Sequence, residues 1–467
     1  MRHEWYVATT GSDAAPGSEA APFRTIGRAA ALAQPGDVIT VGAGTYRERV
    51  SPPRGGASGA ARITYRAASG ERVVITGAEI ITDWIEVGDG VWRTVITDEF
   101  ARTYGDGSHP FRDRLGGDWF FDQDRIHHRG ALICNGSVGY EVDGIGDLTS
   151  ADLPASSCRW HVGEEDDGVA LHAWFDGADP RSVTVEATIR GTVFTPAHAG
   201  IDFITVRGFE LCHAATPWAP PTAAQIGIIG PHWARGWIIE ENHIHGARCS
   251  GISLGQDGSL GQNLWTERQI KHVTQRQRET VFRALHRGWS RDTVGGHVVR
   301  RNHIHHCEQT GIVGHLGCIY SRITDKMIQD SHRHKRFAGA EIAGIKLHAA
   351  IDCLIAHNRI ERADRGIWLD WQAQGTRVHA NLISRCDLQD FFIEVSHGPT
   401  VVDHNILLSE ASVLNVAQGT CFAHNLLAGT VKQVGVPNRF TPYHMPHSTA
   451  VSGLMTVLGG EIGRAHV

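Results

Sequence analysis

The chain has no apolar run of about 18 residues, the length that spans a bilayer, and no apolar core follows its opening Met1-Arg-His-Glu-Trp-Tyr-Val7. The first absence excludes a transmembrane helix and the second a secretory leader, so a cytoplasmic location is expected. Nine cysteines are present, an odd number without a CxxC pair. They are read as reduced thiols, which sets aside both a disulfide framework and a zinc knuckle. No basic tract stands out and the net charge is −6, leaving no footprint for nucleic acid or an anionic membrane. Among 29 histidines no ligand spacing emerges. His243 and His245, like His303 and His305, sit beside a repeated Asn and are read as solvated coil-edge residues, so no metal and no cofactor is expected.

What is present is a repeat. Trp237-Ile-Ile-Glu-Glu-Asn-His-Ile-His245, His297-Val-Val-Arg-Arg-Asn-His-Ile-His305, Ile355-Ala-His-Asn-Arg-Ile360, Arg377-Val-His-Ala-Asn-Leu-Ile383, Val401-Val-Asp-His-Asn-Ile-Leu407 and Phe422-Ala-His-Asn-Leu-Leu427 are versions of one unit, an apolar strand followed by Asn and an apolar pair. Asn358, Asn381, Asn405 and Asn425 are 23, 24 and 20 residues apart, which is the coil period of a parallel β-helix. The wider gaps before and after Asn302 predict excursions. One holds a charged helical segment, Thr266 to His286; the other a degenerate coil, Ile323-Thr-Asp-Lys-Met-Ile328, and a loop from Gln329 to Gly339.

Earlier in the chain, Pro22 to Pro35 is alanine-rich with helical spacing, as expected of a cap over the first coil. Between about Ala78 and Thr195 the period disappears, and short alternating strands with acidic loops predict an inserted antiparallel β-sandwich. The fold class is therefore all-β, a right-handed parallel β-helix (solenoid) with an inserted or flanking antiparallel β-sandwich. Residues 1–77 form the cap and first coils, 78–195 the insertion, and 196–460 the solenoid carrying the site. The final Glu461-Ile-Gly-Arg-Ala-His-Val467 follows abruptly, in codons that can spell a sequencing adapter, and is read as a non-native tail on a truncated chain.

Aligned on a second strand, Gly311-Ile-Val-Gly-His315, Gly344-Ile-Lys-Leu-His348, Gly366-Ile-Trp-Leu-Asp370 and Asp390-Phe-Phe-Ile-Glu394 place four ionisable groups on one face of four rungs. Any single one could be a solvent-facing polar residue. Two stacked carboxylates about 4.8 Å apart are harder to dismiss, because they repel unless a site uses them. Trp368, Trp371, Lys346, Arg377 and His397 flank this face, with Trp368 read as pointing into the core. A carboxylate pair beside indoles suits a sugar and a retaining glycosidase. A polysaccharide lyase using Lys346 or Arg377 as base, and a non-catalytic carbohydrate-binding solenoid, are the alternatives.

The segments His213-Ala-Ala-Thr-Pro-Trp-Ala-Pro-Pro-Thr222, Gly314-His-Leu-Gly317, Glu341-Ile-Ala-Gly-Ile-Lys-Leu-His-Ala-Ala350, Trp368-Leu-Asp-Trp371, Ala373-Gln-Gly-Thr-Arg377, Glu394-Val-Ser-His-Gly-Pro399 and His444-Met-Pro-His-Ser-Thr449 resemble the glycoside hydrolase family 120 β-xylosidases. The resemblance runs from Tyr6 to about Gly460. It implies release of xylose from the non-reducing end of xylo-oligosaccharides with retention, as a xylan 1,4-β-xylosidase, and a homo-oligomer is expected. By position it implies Asp370 as nucleophile, Glu394 as acid/base, and Trp119 and Glu341 as sugar-binding residues. His315, Lys346, His348, Trp371, Arg377 and His397 complete the candidate binding set. Ala340 stands where the family carries His.

Overall fold

A computed structural model of the chain describes residues 2–153, 156–396 and 398–435. The expected tail, His397 and the segment His444 to Thr449 lie outside these residues. Three parallel sheets of eleven, ten and eight strands run the length of the molecule, and successive coils add one strand to each. The interior is built from columns of like residues. Ile239, Val299, Ile323, Ile355, Val378 and Val402 are successive register partners, each at most 1% exposed. β-Branched side chains fit this arrangement because they pack rung on rung with little rotamer freedom to lose.

Each coil turns from the eleven- to the ten-stranded sheet through a left-handed residue, such as Glu241, Arg301, His357, Ala380 or His404, followed by the repeated Asn. The Asn amides form a buried ladder. Asn242 Nδ2 donates to Asn302 Oδ1 at 3.1 Å, and the Asn358–Asn381, Asn381–Asn405 and Asn405–Asn425 links are each 2.9 Å. The degenerate coil puts Lys326 in the ladder, where its buried ammonium donates to the carbonyls of Val299 and Thr324. The period is interrupted there because a lysine takes over the donor role of the amide.

The cap helix, Ile26–Leu32, starts at Thr25, whose hydroxyl accepts from the Arg28 N–H. The charged segment forms two helices, Leu264–Arg268 and Val273–His286, because the left-handed Gln269 ends the first. No helix among the described residues is long and apolar enough to cross a membrane. All nine cysteines are free and eight are buried.

Strands Ile63–Ala67 and Val73–Thr76 pair directly with Ile204–Arg207 and Glu210–Ala214, so the chain after Thr76 leaves the solenoid and rejoins it on the neighbouring rung. That excursion builds a four-stranded and a five-stranded sheet around Leu132, Trp160, Leu171 and Ala187. Its pairing departs from the expectation at one place, where Tyr140–Glu141 runs parallel to the strand beginning at Arg159. The histidines expected to be solvated are also a correction. His243, His245, His303 and His305 are each only partly exposed and stack on one another on the ten-stranded sheet.

Candidate active site

The eight-stranded sheet sets Thr310–Gly314, Ala343–His348, Ile367–Asp370 and Phe391–Glu394 side by side. His348 is the register partner of Asp370, and Asp370 of Glu394. Alternation along each strand sends Ile345, Leu347, Ile367, Leu369, Phe391 and Ile393 into the core and the residues between them outward. Two outward columns result, Lys346–Trp368–Phe392 and His348–Asp370–Glu394. Trp368 is thus a correction to the core assignment: it lies on the same side as Asp370 and stacks on Phe392 with centroids 5.0 Å apart.

An outward face of a solenoid is ordinarily wet, yet His315, Lys346 and His348 are at most 1% exposed and Asp370 is 5% exposed. Two excursions cover them. From the helix Val273–His286, Gln277 donates to His348 Nδ1 at 3.2 Å and Arg278 reaches over the Trp371 ring. His315 is fixed through Nδ1, which donates to the Pro221 carbonyl at 2.8 Å. The solvent-facing interpretation therefore fails for this face; His348, Lys346 and Asp370 are held by partners as burial requires, while His315 Nε2 is buried without one.

Asp370 is clamped at both oxygens. Oδ1 accepts from the Trp371 backbone N–H at 2.8 Å and Oδ2 from Lys346 Nζ at 2.9 Å. The same ammonium lies 3.1 Å from the centroid of the Trp368 ring, so it is neutralised from one side by a carboxylate and from the other by a π face. Arg365, which sequence reasoning missed, stacks over Trp368 at 4.4 Å in the joint field of Glu394, Glu341 and Asp370. It follows a turn and precedes the rung, where nothing in its spacing marks it.

Glu341 meets His348 through Nε2, with Oε2 at 3.0 Å. Burial pushes the Glu341 carboxyl up to about 7, against the pull of Lys346 and Arg365. Burial, aided by Lys346, takes His348 down to about 3. The folded state thus keeps a proton on Glu341 between its ordinary pKa of 4.5 and about 7, where the unfolded chain has released it. Stability from this group is expected to fall as pH rises through that window, by on the order of 3 kcal/mol. Urea unfolding at several pH values should show Glu341→Gln flattening that slope relative to the parent; an unchanged slope would remove Glu341 as its source.

Trp119 approaches from the insertion. Its carbonyl accepts from the Ala340 N–H at 3.1 Å, and the next residues, Phe120–Phe121, pair with Ala338–Gly339. The approach needs a glycine, since a Cβ on Gly339 would lie 2.4 Å from Trp218. Trp119 is itself left-handed, φ 61°, held so by its buried neighbour Asp118. Asp118 accepts from the Thr222 hydroxyl at 2.5 Å and from the Thr266 N–H and hydroxyl at 2.9 and 2.8 Å. Asp118 and Gln277 were not found from sequence because their partners lie 71 to 148 residues away.

Among the candidates, His315, Glu341, Lys346, His348, Asp370, Trp371 and Glu394 come together, with Trp119 beside Glu341. Arg377 does not join them. It belongs to the eleven-stranded sheet, where its guanidinium holds Asp403 at 2.8 and 2.6 Å.

Residues 81–191 match the glycoside hydrolase 120 insertion domain, and residues 9–51 match a domain of unknown function, DUF1565. A solved structure of XylC in complex with xylose is 45% identical, with a TM-score of 0.92, covering 96% of this chain and 72% of that one. A second structure, described as a glycoside hydrolase, is 12% identical with a TM-score of 0.55, covering 91% and 96%, and is alike in fold alone. No curated protein matches the chain.

Proposed function

Since the chain belongs to glycoside hydrolase family 120, we propose that it is a retaining exo-β-xylosidase that releases xylose from the non-reducing end of β-1,4-xylo-oligosaccharides. The observation that carries this is the direct register pairing of Asp370 with Glu394. Neighbouring strands are about 4.8 Å apart, close to the roughly 5–5.5 Å between carboxyl groups in retaining enzymes and well short of inverting ones. That XylC, 45% identical, was solved with xylose supports the sugar class.

In this reading Asp370 attacks the anomeric carbon while Glu394 gives its proton to the departing alcohol, forming a xylosyl-enzyme. Water, deprotonated by Glu394, then attacks the same carbon and releases Asp370. Lys346 keeps Oδ2 of Asp370 in place, so little orientation is lost on reaching the transition state. Glu341 and His348 form a buried polar floor suited to sugar hydroxyls, and Trp119 and Trp371 offer flat apolar faces to the ring.

Incubation with xylobiose tests the whole reading. Free xylose is expected; an unsaturated product absorbing in the ultraviolet would mean a lyase, and binding without turnover a carbohydrate-binding solenoid. Trp119→Ala should lower kcat/KM by about 2 kcal/mol, some thirtyfold, if the insertion closes the pocket. An unchanged kcat/KM would leave the insertion a purely architectural part.

A further inference from the structure

A second cluster lies on the outer face of the ten-stranded sheet, away from Asp370. His243 is the register partner of His303, and His245 of His305. Their rings stack in two ladders, with centroids 5.0 Å apart at 6° and 4.9 Å apart at 1°. His243 Nε2 and His305 Nε2 are 2.6 Å apart, while His303 Nε2 is buried with no hydrogen-bond partner. The ligand atoms of His243, His303 and His305 all fall within 4.8 Å of one another. His243 and His305 open onto a cleft of about 490 Å³ whose far wall comes from the insertion, at Gly136, Ser137, Val138 and Glu186.

We propose that His243, His303 and His305 form a binding site for a divalent transition-metal ion of the zinc class. Three imidazoles select zinc, copper or nickel over calcium or magnesium, which prefer oxygen donors. Bonds of about 2.0–2.1 Å need donors roughly 3.3 Å apart, which small ring rotations provide here. An imidazole, with an ordinary pKa near 6.5, is mostly neutral at neutral pH and can donate to a metal there. His305 Nδ1 lies 2.5 Å from His306 Nδ1, whose Nε2 accepts from Arg333 at 2.8 Å; a metal on His305 Nε2 takes the place of the proton that ring holds toward His243, and that proton moves to Nδ1 as Arg333 lets His306 Nε2 go. Glu210 is engaged by Arg72 at 2.8 and 2.9 Å and by His245 at 3.2 Å, so this carboxylate surrounds the site and is not a ligand. The fourth position faces the cleft and takes water.

The ligands come from the two coils on either side of the excursion that carries Val273–His286, the helix covering His348. A bound ion links those coils and pins the base of the excursion.

Zinc chloride titrated calorimetrically into chelator-treated full chain is expected to show one equivalent per chain with Kd at or below about 1 µM. His305→Gln should weaken it by about 100-fold or more while the circular dichroism spectrum stays that of the parent. Cobalt-loaded parent protein should absorb strongly in the visible, as a four-coordinate ion with nitrogen donors does, without any variant being needed. No equivalent tighter than about 100 µM, or one that His305→Gln leaves unchanged, would overturn the site.

Discussion

Asp370→Gly is expected to abolish turnover on every xyloside, by roughly 10⁴-fold or more, because no glycosyl-enzyme can form without the carboxylate. The loss should not depend on the leaving group. It will carry a structural cost as well, since Lys346, fully buried, loses the carboxylate 2.9 Å away and is left against the Trp368 ring. Asp370→Asn, which keeps the shape and a hydrogen-bond acceptor for the ammonium, separates the two effects: its unfolding midpoint should lie nearer the parent's, with turnover still absent. Turnover within tenfold of the parent in the asparagine variant would remove Asp370 from the role of nucleophile.

Glu394→Ala should fail differently. Xylobiose, whose leaving alcohol needs a proton, should lose about 10²–10⁴-fold, whereas an aryl xyloside with a good leaving group should still form the intermediate. Added azide can then enter the space left by the carboxylate and attack the xylosyl-enzyme, speeding release and giving a β-xylosyl azide. An α azide from Glu394→Ala, or a β azide from Asp370→Gly, would reverse the two assignments.

The rungs carrying these residues were legible because two periods coincide. A spacing of 23 to 24 residues between Asn358, Asn381 and Asn405 fixes which coils stack, and alternation fixes which side chains share a face. Together they put His348, Asp370 and Glu394 in one column, as the pairing has them. The same two rules, applied to Trp368, place it two residues from Asp370 on the same face. A tryptophan flanked by Ile367 and Leu369 looks apolar all round, which hides its outward phase. Alternation together with the shared Asn register of the coils at Asn242 and Asn302 puts His243, His245, His303 and His305 on one stacked imidazole face that is invisible when each strand is considered alone.

Arg377 was drawn into the site by nearness along the chain. It lies only seven positions after Asp370, but a turn intervenes and its strand belongs to another sheet. What covers the site was beyond local reasoning for a different cause. Gln277 and Asp118 reach their partners through excursions that leave and rejoin the solenoid, and no period within an excursion encodes where it lands. The burial of Lys346 and the raised Glu341 carboxyl follow from that cover, so neither could be inferred from the rungs themselves.

The central claim is that Asp370 and Glu394 act as a double-displacement pair. Proton NMR during the first moments of hydrolysis of an aryl β-xyloside, in which the only xylose is the one released at the cleaved bond, tests it most directly, before mutarotation sets in. The β anomer of xylose should appear first, with the α anomer growing in only as solution equilibrium is approached. Initial release of α-xylose would mean single displacement by water, and would contradict the account.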